Sequence, residues 1–287
     1  GIKWQGGFAF DIDGIAWAGS WAEKKLYTVN VAGGGSTLRY DLTSQILGNI
    51  YGLSFFFPKL QFDVSSSSIV AINTLATLSV HVTYPSVPVQ GMYITFSSAD
   101  TAPLTFTDDI NPTDTTGCAR VTTMTSTAGV YTVTASGRYC TISDTWTLVV
   151  YDPKGMTAGG GWYDAYDEVT ETSGTATFGF VAKYIKGSAT GNLEFQYHVE
   201  DKLNLKSTSI TWLVVSGSTA QFKGQGTVNG APGYYFRVIA KDNGEPGTSD
   251  WFKIKIWKGD PDLATTELIH DSGTEHLDGG NIIVRTK

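Results

Sequence analysis

The chain has 287 residues, 16% charged and 13% aromatic, with 33 Gly against 9 Pro, a net charge of −7 and a pI near 5.0. An average soluble domain is about 25% charged and about 7% Gly, so this chain is low in charge and rich in Gly and rings. The apolar content excludes disorder, the composition excludes a coiled coil, the acidic balance argues against nucleic acid as a partner, and no apolar run approaches the ~20 residues of a membrane span.

Residues 1–13 carry the cleanest alternation in the sequence. Ile2, Trp4, Phe8, Phe10 and Ile12 fall on one face, with Lys3, Gln5, Asp11 and Asp13 on the other. Period two over this length predicts a half-buried strand. A second strand-like run, Lys25 to Ala32, ends in Gly33-Gly34-Gly35, read as a turn. Residues 37–50 are the best helical candidate: Leu38, Leu42, Ile46 and Ile50 recur at helical spacing, and Ser36 or Thr37 is placed to cap the start. Leu60 to Val64 alternates again before the turn residues Ser65 to Ser68.

From Leu75 the texture changes to Thr, Val and Tyr. Leu78, Val80, Val82 and Tyr84 alternate, as do Met92, Ile94 and Phe96, and Val130, Thr132 and Thr134 against Tyr131 and Val133. Short strands at regular spacing, with turn clusters at 97–102 and 108–117, predict a β-sandwich whose last strand is Leu148 to Tyr151. Asp152-Pro153-Lys154-Gly155 is the exit turn, because Pro does not continue a central strand.

After Gly159-Gly160-Gly161, also read as a turn, a third pattern begins. The alternating sets are Phe178, Phe180, Ala182 and Tyr184; Leu193, Phe195, Tyr197 and Val199; Ile210, Trp212 and Val214; Tyr234, Phe236, Val238 and Ala240; and Phe252, Ile254 and Ile256. Asn229-Gly230 and Asn243-Gly244 are hairpin signals. The one-sided alternation favours antiparallel sheets, and Lys253 and Lys255, facing away from it, read as guards of a sheet edge.

The stretch Ala128-Gly129-Val130-Tyr131-Thr132-Val133-Thr134 resembles the late strand of PKD and bacterial Ig-like domains. The C-terminal half carries a more specific likeness. Val150-Tyr151-Asp152-Pro153, Gly159-Gly160-Gly161-Trp162, Phe178 to Tyr184, Thr211 to Val215, Phe222 to Gly230, Phe252 to Trp257 and Gly279 to Val284 resemble, in order, the C-terminal β-module that comes after such repeats in secreted prokaryotic surface proteins. The resemblance covers about 75–287. It implies a β-rich fold, an extracellular or cell-surface location and no catalytic residues.

Cys118 and Cys140 lie in one β-patterned segment, and in an oxidising compartment a disulfide between neighbouring strands is expected. A start at Gly1 is read as a mature, processed protein. The four His form no close metal-binding pair. His270, Asp271, Glu275 and His276 do cluster near the C-terminus, either as a metal group or, as the blander expectation, as a solvated loop. Carboxylates on loops are the usual calcium ligands of extracellular β-modules, and the densest set is Asp108, Asp109 and Asp114, a possible calcium site against ordinary turn chemistry. There is no nucleophile elbow and no phosphate-cradling Gly loop. Trp162, Tyr163, Tyr166, Trp251 and Trp257 form either core or a platform on which sugar rings stack.

The expectation is an all-β chain of two or three antiparallel sandwich units, Ig-like or jelly-roll-like, with little helix: residues 1–74, 75–152 and 153–287. Its first strand pairs within its own domain or completes a neighbouring subunit's sheet by donor-strand exchange, with Ile2, Trp4, Phe8, Phe10 and Ile12 as anchors. A head-to-tail contact of that kind gives an open filament when it does not close. The function expected is a non-enzymatic extracellular subunit of a filament, sheath or surface layer whose partners are copies of itself. The alternatives are an adhesive or polysaccharide-binding module, and a hydrolase with an unrecognised carboxylate pair. No cofactor is expected beyond calcium.

Overall fold

A computed structural model describes residues 8–10, 16–20, 25–29, 36–41, 58–84, 86–100, 103–137, 142–200, 202–262 and 266–286. Their regular structure is almost entirely strand, as the alternating pattern requires, with one short 3-10 turn at Gly247–Ser249. The chain divides into two compact units. The first holds Gly1–Ser67, Leu75–Thr123 and Thr132–Trp146, the second Ser68–Thr74, Met124–Tyr131 and Thr147–Lys287.

In the first unit β1 (Phe8–Phe10), β2 (Ala16–Ser20), β3 (Lys25–Val29) and β4 (Ser36–Asp41) form an antiparallel sheet in sequence order. The helix expected over 37–50 is replaced at its start by β4; residues 42–50 lie outside the described set. The segment pairs with β3, Thr28 opposite Thr37 and Leu26 opposite Tyr40. A ladder partner outweighs a helical spacing carried by one residue in four.

The next strands are β5 (Lys59–Phe62), β6 (Ile69–Ala71), β7 (Ala76–Tyr84), β8 (Val87–Pro88), β9 (Ile94–Ser98), β10 (Thr107–Ile110), β11 (Cys118–Thr123), β12 (Gly129–Gly137) and β13 (Ser143–Tyr151). Within the first unit one sheet runs β10-β11-β7-β5, with β8 also on β7. Opposite it β12 pairs with β9 from Val133↔Ser98 to Gly137↔Ile94. The sandwich thus takes in β5, from before residue 75. Phe62 of β5 meets the rings of Phe96 on β9 at 6.2 Å and Trp146 on β13 at 5.8 Å, so the two layers pack face to face. Leu78, Val80, Val82, Val121, Val133 and Ala135 are fully buried between them.

The second unit is dominated by one antiparallel sheet: β14 (Gly155–Asp167), β15 (Thr172–Ile185), β16 (Ser188–His198), β17 (Leu203–Ser216), β18 (Thr219–Val228), β19 (Ala231–Lys241), β20 (Trp251–Lys258), β21 (Glu267–Asp271), β22 (Glu275–His276) and β23 (Gly279–Thr286). From β14 to β20 each strand pairs with the next; β21 and β22 then pair with the far side of β20, and β23 returns to pair with β14. Asn229 and Gly230 both adopt positive φ, 50° and 83°, as the β18–β19 hairpin turn demands. The alternating residues named from the sequence line a single interior, with two exceptions: the register shifts between Ile210 and Trp212, and Trp212 and Val214 pack in a separate cluster with Val149. Phe178, Phe180, Phe195, Phe222, Phe236 and Phe252 all belong to one buried cluster.

Gly159-Gly160-Gly161 is not a turn but the middle of β14, between β15 and β23. The reason is crowding: a Cβ on Gly159 would stand 2.9 Å from Ile282 Cγ1, and one on Gly161 would strike the Gly279 carbonyl. Lys253 and Lys255 do not guard an edge either, because β20 is flanked by β19 on one side and by β21 and β22 on the other. Both lysines instead pair with the buried Asp271.

Candidate functional site

Period two places every second side chain of the second unit outside the aromatic interior. On β17 to β20 two outward rows are built from cross-strand neighbours. Trp212, Lys223 and Arg237 face one another across β17, β18 and β19, and Gln225, Tyr235 and Trp257 across β18, β19 and β20. Together with Thr147 and Val149 of β13 and the loop residues Asp260 and Asp262 they line a cavity of about 430 Å³.

Its floor is a fixed charge network. The Lys223 side chain is 8% exposed, and its Nζ donates to Asp260 Oδ1 at 2.8 Å and to Asp262 Oδ2 at 2.6 Å. The same ammonium stands 5.8 Å from the centre of the Tyr235 ring. The Arg237 guanidinium lies over the Trp212 ring at 5.7 Å and donates to Gln221 Oε1 at 2.7 Å. Burial lowers the Arg237 pKa from its ordinary value. A buried cation held by two carboxylates and a ring is a rigid arrangement, since losing either partner leaves a charge stranded.

A second outward row lies on β14. Trp162 and Tyr166 are 46% and 47% exposed, with Asp164 between them. Beside them a shallow polar trough of about 580 Å³ is lined by Thr177, Asn192, Glu194, Gln196 and Lys206 over the bare backbone of Gly179. The predicted aromatic platform therefore splits. Trp162 and Tyr166 are displayed, Tyr163 is fully buried in the interior, and Trp251 and Trp257 are half-buried on the outer side of β20.

The third cluster closes the sheet. Asp167, at the end of β14, accepts from Val169 N, Asp271 N and Thr170 Oγ1, and its Oδ2 lies 2.9 Å from His270 Nδ1 on β21. His270 is 0% exposed and packs against the rings of Phe195 and Tyr197. The solvated-loop reading fails for His270 and Asp271, which are buried on β21, whereas Glu275 and His276 lie half-buried and exposed on β22. Among the described residues no group of three or more His, Cys, Asp or Glu is placed to hold a metal ion. Buried away from solvent, the Asp–His pair works as a clamp between β14 and β21. Nearby, Asp250 Oδ2 accepts from Ile282 N at 2.7 Å and Asp242 Oδ2 from Val284 N at 3.1 Å. These carboxylates cap the side of β23 that faces away from β14.

The expected calcium ligands are separately engaged. Asp108 accepts from Asn111 Nδ2, Asp109 pairs with Arg120, and Asp114 Oδ1 accepts from Thr116 N, Thr116 Oγ1 and Cys118 N. Those bonds lower the Asp114 pKa, the Thr116 hydroxyl contributing most. Cys118 is a half-buried thiol whose pKa is raised by burial and by the Asp114 carboxylate; its expected partner Cys140 lies outside the described residues. Of the proposed inter-subunit anchors, Phe8 and Phe10 lie on β1, and Ile2, Trp4 and Ile12 lie outside the described residues. β1 pairs with β2 of its own chain, Phe8 opposite Ala18.

Sequence reasoning missed Lys223, Arg237 and Tyr235. The one signal available was a lysine and an arginine at outward positions between aromatic neighbours, Phe222-Lys223 and Phe236-Arg237. Which carboxylates would reach Lys223 is not local information.

No protein-family model matches the chain, and no curated protein matches it. Among solved structures it is similar to domains 5–6 of the S-layer protein SbsC, with 16% identity and a TM-score of 0.28 over 77% of this chain and 97% of that one. Domains 4–9 of the surface layer protein SbsC give 14% identity and a TM-score of 0.29 over 88% of this chain and 34% of that one. A marsupial T cell receptor gives 11% identity and a TM-score of 0.26 over 92% and 72%.

Proposed function

We propose that the protein is a non-catalytic extracellular structural subunit that assembles with copies of itself into a surface filament, sheath or layer through its N-terminal strand segment. One contrast carries this reading. β1 forms an edge of its four-stranded sheet, with a strand partner on one side only among the described residues. The edge of the large sheet at β23 is capped by Asp250 and Asp242. An open strand edge offers unpaired N–H and C=O groups to another chain, and a capped one does not. The alternating apolar residues of 1–13 supply the anchors that set register. Deleting residues 1–13 is expected to give soluble particles that sediment as monomers where the full chain forms polymers. Polymers of the truncated chain, or a full-length chain that stays monomeric at high concentration, would refute the reading.

A second reading, adhesion to polysaccharide, is favoured by the exposed Trp162 and Tyr166 beside the polar trough. Retention of the chain on insoluble cellulose, chitin or mannan is then expected to fall when both rings are replaced by Ala. Equal retention of the double variant rules this surface out.

A further inference from the structure

We propose that the cavity over Lys223 is a second binding site, for a short neutral saccharide, distinct from both the assembly strand and the Trp162 row. The concave shape comes first. About 430 Å³ falls within the roughly 300–1,000 Å³ of small-molecule sites, whereas the Trp162 row is an open surface.

The chemistry of the lining selects the class. Two charges of each sign meet in the wall, Lys223 and Arg237 against Asp260 and Asp262, so no net charge calls for an ionic ligand. Arg237 is in addition turned to Gln221 and covered by Trp212. With the charges balanced, what the lining offers a ligand is hydrogen bonding and ring surface. Lys223 occupies Asp260 Oδ1 and Asp262 Oδ2, which leaves Asp260 Oδ2 and Asp262 Oδ1 as acceptors without a hydrogen bond among the described residues. The Asp262 side chain is 65% exposed, so its acceptor is reachable from solvent. The Gln225 amide and the Thr211 hydroxyl add donors and acceptors on the same lining, both exposed.

Beside them stand the half-buried rings of Tyr235 and Trp257, register neighbours on β19 and β20. Adjacent strands lie about 4.8 Å apart, so Gln225, Tyr235 and Trp257 form a continuous strip of amide and ring. A sugar ring presents vicinal hydroxyls at its edge and C–H bonds on its faces. Fixed carboxylate acceptors next to an aromatic face match both at once. The buried Lys223 matters because it immobilises the two carboxylates before any ligand arrives, which lowers the ordering cost of binding. Anchoring Asp260 and Asp262 on one another as well, through Asp262 N to Asp260 Oδ1 at 3.1 Å, serves the same end.

The test uses the full chain and three soluble probes: β-1,4-glucose, N-acetylglucosamine and mannose hexasaccharides, titrated by calorimetry and by tryptophan fluorescence. Saturable binding of at least one is expected. Trp257→Ala and, separately, the milder Asp262→Asn are each expected to weaken it about tenfold or more. Unchanged melting temperatures of the variants show that the loss is not one of folding. The proposal is overturned if no probe binds or if binding survives both cavity variants. The 1–13 deletion should bind the probe as the full chain does, so loss of polymers and loss of the cavity site are read separately.

Discussion

Phe252→Ala is expected to destabilise the second unit by about 3–5 kcal/mol, the range for removing a buried Phe from a packed core. Phe252 is 0% exposed and sits where four strands send their rings inward. It stacks on Phe178 at 4.0 Å with 10° between the planes, and meets Phe180 at 5.9 Å, Tyr163 at 6.1 Å and Phe195 at 6.3 Å. Its partners lie on β14, β15 and β16, and β20 reaches them only by the curl of the sheet. Truncation therefore opens a cavity that no single side chain can refill, and the strands around it are held apart by their own ladders. Phe252→Leu keeps most of the volume and should lose much less. Urea unfolding followed by tryptophan fluorescence checks the pair. A loss under about 1 kcal/mol for the Ala variant would mean that the interior collapses around the gap, and that this ring is not the keystone the stacking implies.

That interior was legible in the sequence because each strand carries its own record. Phe178-Phe180-Ala182 and Phe252-Ile254-Ile256 state the buried face by period alone, and Asn229-Gly230 states where one hairpin turns. The misreadings share one physical cause, which is contact between residues far apart in the chain. Three glycines at 159–161 look like a turn until β23, about 120 residues on, is seen pressed against them. The spacing of Leu38, Leu42, Ile46 and Ile50 looks helical until β3 offers Ser36–Asp41 a ladder. Lys253 and Lys255 look like edge guards until β21 and β22 cover that side and Asp271 receives both charges. The cavity was hidden in the same way. Trp257 could be suspected from the sequence, but the pairing of Lys223 with Asp260 and Asp262, 37 and 39 positions away, could not.

The clamp between Asp167 and His270, 103 positions apart, makes stability depend on acid in a definite direction. Burial raises the Asp167 carboxyl, but the His270 ring and the backbone N–H groups of Asp271 and Val169 outweigh it and hold the group well below the usual carboxylate range. Asp271 behaves alike: burial raises it, and the Lys255 bond, Gly273 N and the Lys253 charge more than reverse that. In the unfolded chain both return to about 3.9. Between that value and the lower folded ones the unfolded state binds more protons, so stability increases with pH there. The contribution is complete above about pH 4 and is lost as pH falls below it. Replacing Asp167 by Ala removes the acceptor for two backbone N–H groups and a buried imidazole, and is expected to cost about 3–5 kcal/mol at neutral pH. Asp167→Asn keeps the shape and an acceptor oxygen but no titrating proton. It should be less stable than the parent at pH 7 and should flatten the acid limb of the profile. Thermal unfolding at intervals from pH 7 to pH 2 measures both effects. An acid limb of unchanged steepness in Asp167→Asn would show that other carboxylates govern acid unfolding and that the clamp does not.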